Sequence, residues 1–214
     1  MTVPGEVLDR ARASAKSGEY PTALANYELF FDRALQDQGE DHNYYGVRLS
    51  YCLREWARLG TVYPPARQRI EEKADEALAA FEATSDDEKF HDYQAIMDCL
   101  DKSGQVLSQF LSFHRSDPAL AKLAARFMWT RLIDARLWDV CAVYLGDPLK
   151  RYGQALNTFD TTMTMCKSDP SFGGEDFAEQ IKGWYVRDAG NVLRVLNGIG
   201  LPEVVKQIVA QVST

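Results

Sequence analysis

Residues 15–35, AKSGEYPTALANYELFFDRAL, constrain the fold more than any other stretch of the chain. They read as the end of one helix, a tight turn through Ser17-Gly18-Glu19-Tyr20, and a second helix opening at Pro21. Glycine just past a helix end accepts the left-handed conformation that closes the last turn. Proline at the first turn of the next helix gives up an N–H that has no partner there anyway. In the second helix Leu24, Tyr27, Phe31 and Leu35 fall at i, i+3, i+7 and i+11, one face of an α-helix, and Phe30 widens the stripe.

The rest of the chain repeats this grammar. Helical periodicity predicts helices over about 6–16, 21–36, 44–59, 63–83, 87–101 and 105–115. It continues over about 118–135, 137–145, 147–166, 175–196 and 202–212, and no stretch reads as a strand. The polar loop QDQGEDHN closes the first hairpin, and KSDPSFGG separates two later helices. Gly60 is expected to end the third helix, Ser85 or Asp86 to cap the fifth, and Asp117-Pro118 and Asp147-Pro148 to open later ones. The EEKADEA segment reads as the wet face of the fourth helix, opposite Ile70, Ala74, Ala77, Leu78 and Phe81.

The chain has 214 residues and a formal net charge of −7, with 24 Lys and Arg against 31 Asp and Glu. That balance argues against phosphate-backbone binding, which needs clustered cations, so no nucleic-acid partner is expected. Cys52, Cys99, Cys141 and Cys166 are dispersed on apolar faces without a CxxC pair, as buried thiols in a reducing compartment would be. No segment approaches a membrane span, and the N-terminus lacks the apolar core of a signal peptide; residence in the cytoplasm, away from the membrane, is the expectation.

Gly18, Tyr20, Ala23, Leu24 and Tyr27 stand where a tetratricopeptide repeat places its turn and helix-crossing residues, and the stretch resembles that family. Gly60 with Tyr63 and Ala66, Gly104 with Val106, and Trp138 with Cys141 and Leu145 are weaker echoes. Gly18 and Gly60 lie 42 residues apart and Gly60 and Gly104 lie 44 apart, against a family unit of about 34. The resemblance is therefore to a divergent array with long helices. It implies an all-α fold of antiparallel helical hairpins stacked in a right-handed α-solenoid, one domain over 1–214. The pairs are expected at about 5–38, 43–84, 86–115, 117–145 and 147–198, with a capping helix at about 201–212. Such arrays present a concave surface to ligands.

Aligned to the repeat, the first helices of the pairs direct Arg12 and Lys16, then Arg54 and Arg58, then Arg126 toward the concave side. Arg54 and Arg58 are one helical turn apart and share a face. Guanidinium pairs bidentately with carboxylate, so these residues point to an acidic peptide or a chain-terminal carboxylate. The resemblance implies the same, since some members of the family clamp peptide carboxylates. The third pair offers Gln94, Asp98 and Asp101 to this side, which are neutral or acidic.

Other chemistry is thinly signalled. His91-Asp92, with His42 upstream, is similar to the adjacent pair of HD-type metal-dependent phosphohydrolases, which makes a small all-α hydrolase one alternative. Against it, Glu88, Lys89 and Phe90 are not the apolar run that buries such a site, and Asp86, Asp87 and Glu88 suit a helix N-terminus. There is no GxSxG and no GxxxxGK, and His114 sits where a helix end would stabilise it. No cofactor or metal is indicated. The sequence thus reads as a non-enzymatic interaction module for a peptide or protein partner, with a structural or self-associating unit as the remaining alternative.

Overall fold

The computed structural model describes residues 4–35, 44–168 and 174–212. These are about 90% helical and contain no strand, and none of their helices is long and apolar enough to cross a membrane. The loop expected at 36–43, including His42, and most of the one at 167–174 lie outside the described residues. The chain divides into two compact units, Met1–Ala124 and Ala125–Thr214.

The first unit opens with α1 (Pro4–Ser17) and α2 (Tyr20–Arg33), joined through Gly18 in the left-handed region, φ 82°. A continuous helical run follows: α3 (Tyr45–Val47), a π turn (Arg48–Cys52) and α4 (Leu53–Val62). Ser50 Oγ donates to the Gly46 carbonyl four residues back at 2.5 Å, a bond that bends helices. Then come α5 (Pro64–Thr84), α6 (Asp87–Cys99) and α7 (Ser103–Ser116). Caps set these limits. Asp86 accepts from the Glu88 N–H at 3.1 Å, and Ser85 closes α5 in the left-handed region.

Packing runs from hairpin to hairpin: α1 on α2, α4 on α5, and α6 on both α5 and α7. The helix α2 lies against the π turn and α4, and α4 lies against α6. The core is aromatic, with Trp56 fully buried and its indole N–H donating to the Ala66 carbonyl at 3.1 Å. Phe31 meets Trp56 edge-on at 6.2 Å, and Phe81 packs on Phe90 and Phe113.

Three expectations need correction. The buried face of α2 is Ala23, Tyr27, Phe30 and Phe31, continued by Ala34, while Leu24 is half-buried and Leu35 is exposed. Small residues let the flanking helices approach closely, and they rotate the helix away from the purely apolar stripe. Gly60 does not end a helix; it lies inside α4, and a Cβ there would stand 3.1 Å from Arg67 Cα of α5. It is a close-approach glycine. The EEKADEA segment is partly a clamp, for its Lys73 bonds Asp32 of α2 at 2.9 Å, and Arg69 just before it bonds Glu28 of α2 at 2.6 Å.

The helix α8 (Pro118–Asp134), capped by Asp117, crosses from the first unit into the second. The second unit continues with α9 (Trp138–Leu145), α10 (Pro148–Ser168), α11 (Gly174–Gly198) and α12 (Pro202–Val212). Asp147 caps α10 through the Leu149 and Lys150 N–H groups. The helix α11 packs on α9, α10 and α12. Its contact with α9 is tight, because a Cβ on Gly198 would come within 2.4 Å of the Trp138 ring.

Candidate functional site

Arg54 and Arg58, two of the cations singled out in the sequence, line a cleft in the first unit. A cleft of about 760 Å³ lies between the run Tyr45–Val62 and α6. One wall carries Arg54 and Arg58 of α4; the other carries His91, Gln94, Asp98 and Cys99 of α6, followed by Asp101. Helical geometry puts Arg54 and Arg58 on one face about 6 Å apart along the axis. Both are exposed, and among the described residues neither enters an ion pair. The Arg54 guanidinium stands 5.9 Å from the ring of the exposed Tyr51.

Arg58 also borders a second cleft, of about 460 Å³, with Arg12, Lys16, Tyr20, Tyr27 and Glu55. Arg12 is engaged there. Its Nε and Nη2 donate to Glu55 at 2.9 and 3.0 Å, and this bond holds the guanidinium above its usual value. Lys16 has no ion-pair partner among the described residues. Burial, reinforced by Glu55, pushes the Tyr27 phenol up to about 12. Four of the five expected cations therefore border two clefts that share Arg58, and Glu55 neutralises one of the four. Arg126 belongs to the second unit, where its guanidinium lies 4.3 Å over the Phe127 ring.

At the opening of the first cleft Tyr45 Oη hydrogen-bonds both the Glu88 carboxylate and His91 Nδ1, the latter at 2.6 Å. A phenol has one proton and a carboxylate is the stronger acceptor. Tyr45 therefore donates to Glu88 and accepts from Nδ1–H, which leaves Nε2 as the ring's second polar atom. The His-Asp pair itself is split. Asp92 is buried, with its two oxygens 2.5 and 2.6 Å from the two Nη atoms of Arg48, which is itself buried. Arg48 Nε donates to the Phe31 carbonyl at 2.6 Å, and the guanidinium sits 3.8 Å over the Phe31 ring. Among the described residues no group of three or more His, Cys, Asp or Glu side chains is placed to hold a metal ion. The Arg48–Asp92 bridge instead ties the π turn, α2 and α6 together behind the cleft.

Sequence reasoning missed this bridge because its partners lie 44 residues apart, and the one signal around Asp92, its adjacency to His91, pointed to a metal pair and not to an arginine. It also missed that Lys102 turns away from Asp98 and Asp101 to bond Glu71 at 2.9 Å. No family model, no curated protein and no solved structure matches this chain.

Proposed function

We propose that this chain is a non-enzymatic interaction module of divergent tetratricopeptide-like design. Its hairpins stack as a right-handed solenoid, and it holds a peptide or protein partner by a carboxylate in the groove between α4 and α6. The packing inside the first unit supports the reading. The second helix of each hairpin, α2 or α5, lies on the first helix of the next, α4 or α6, and those first helices touch one another. One observation carries the ligand chemistry: two arginines a turn apart, exposed in a cleft and without an ion pair among the described residues, on a chain of net charge −7. An exposed guanidinium pair of this kind suits a carboxylate, which it can grip through two parallel N–H donors.

The test is affinity capture from lysate of the cell that makes the protein, with wild type and an Arg54→Ala, Arg58→Ala double variant of matched melting temperature. Retention of a partner by wild type and its loss by the variant is expected. Undiminished capture by the variant would place the binding face elsewhere, and recovery of only the chain itself would favour the self-associating alternative.

A further inference from the structure

The cleft between α4 and α6 is charged on both sides, and with opposite signs. Arg54 and Arg58 stand on the α4 wall, Asp98 and Asp101 on the α6 wall. The acidic pair sits at the C-terminal end of α6, the negative end of the helix dipole, where carboxylates weaken a helix and cations are preferred. Lys102, the nearest cation in sequence, is committed to Glu71. Asp101 holds the left-handed position that closes the helix, φ 58°, with the Lys102 N–H returning to the Met97 carbonyl at 2.8 Å. Among the described residues Asp101 enters no ion pair. Asp98 accepts from Ser103 Oγ at 2.8 Å and faces the same cleft. A sequence that keeps charges where local helix stability disfavours them departs from level-to-level consistency, as functional sites do.

A purely acidic ligand would meet Arg54 and Arg58 on one side and two like charges on the other, a juxtaposition that costs affinity. A ligand with a cation for the second wall avoids it. The spacing indicates how the two signs are arranged. Arg54 and Arg58 are about 6 Å apart along the helix, and side chains i and i+2 of an extended peptide are about 6.6 Å apart on one face, with i+1 and i+3 on the opposite face. Resting on the peptide-binding reading above, we infer that the occupant is an extended segment whose side chains alternate in sign. Its carboxylates face Arg54 and Arg58, and its lysine or arginine groups face Asp98 and Asp101.

Calorimetric titration of the full chain with two end-blocked peptides of identical composition tests this. One alternates Glu and Lys; its isomer carries the same residues as one Glu block and one Lys block, so net charge is equal. The alternating peptide is expected to bind about tenfold more tightly. The preference should vanish in an Asp98→Asn, Asp101→Asn variant, in which asparagine keeps both the Ser103 bond and the left-handed turn. Equal affinities, tighter binding of an all-Glu peptide, or a preference that survives the asparagine variant would overturn the inference. If the arginine-dependent capture described above also holds, the peptide-binding reading survives that result. No binding of any of these peptides together with arginine-independent capture would remove both.

Discussion

Replacing Asp92 with alanine tests whether the bridge behind the cleft holds the first unit together. In the folded chain the carboxylate makes two short charge-assisted bonds to Arg48, and both residues are less than a tenth exposed. The variant would keep Arg48 on the Phe31 carbonyl and ring but leave a buried guanidinium without a counter-charge. Breaking one side of a buried pair costs about 3–5 kcal/mol. With a urea slope of about 2 kcal/mol/M, the midpoint for this unit should fall by roughly 2 M. Trp56 is the only tryptophan of the first unit, so its fluorine resonance in fluorotryptophan-labelled protein follows that unit alone. The double variant Arg48→Met, Asp92→Leu removes both charges, and it should lie within about 2 kcal/mol of wild type, the residual reflecting the orphaned Phe31 carbonyl. A loss below about 1 kcal/mol for Asp92→Ala, or a double variant as unstable as the single one, would refute a compensated buried pair.

Two further outcomes follow from the packing and from buried acids. Gly60→Ala should destabilise by about 1–3 kcal/mol, because its Cβ meets the α5 backbone. Gly183→Ala, in α11 with open space around it, should stabilise by about 0.5–1 kcal/mol, so thermal melts of the two should move in opposite directions. Burial also holds the Cys141 thiol up to about 11 and the Tyr27 and Tyr152 phenols up to about 12. The unfolded chain gives up these protons first, so stability is fully present below about pH 9 and falls as pH rises toward 11 and beyond. Urea midpoints measured across that range check it, and a flat profile to pH 11 would contradict it.

The helix ends were the most legible part of the fold. Asp86, Asp117 and Asp147 cap as their residue types suggest, and α12 spans the residues its periodicity indicates. These signals are local, so sequence carries them. What sequence hid was decided between helices. Ala23 and Ala34, not Leu24 and Leu35, face the core, because close approach of neighbours selects the small side. Gly60 looked like a stop and is a contact. At the candidate site, register alone put Arg54 and Arg58 on one face, and they share a cleft. It could not reveal that Glu55, on the same helix as those arginines, would engage Arg12 of α1. Nor could it show that Asp92 beside His91 turns inward to Arg48, since those pairings depend on how hairpins meet.

Photo-crosslinking from a single position tests the cleft most directly, because it needs neither a known ligand nor a disabled site. Thr61 is exposed and borders both clefts; Gln68 is exposed on α5 and borders neither. With a photo-reactive residue at one position or the other, the captured partner should join the chain at position 61 and not at 68. Joining at 68 with none at 61 would contradict the cleft between α4 and α6 as the binding site.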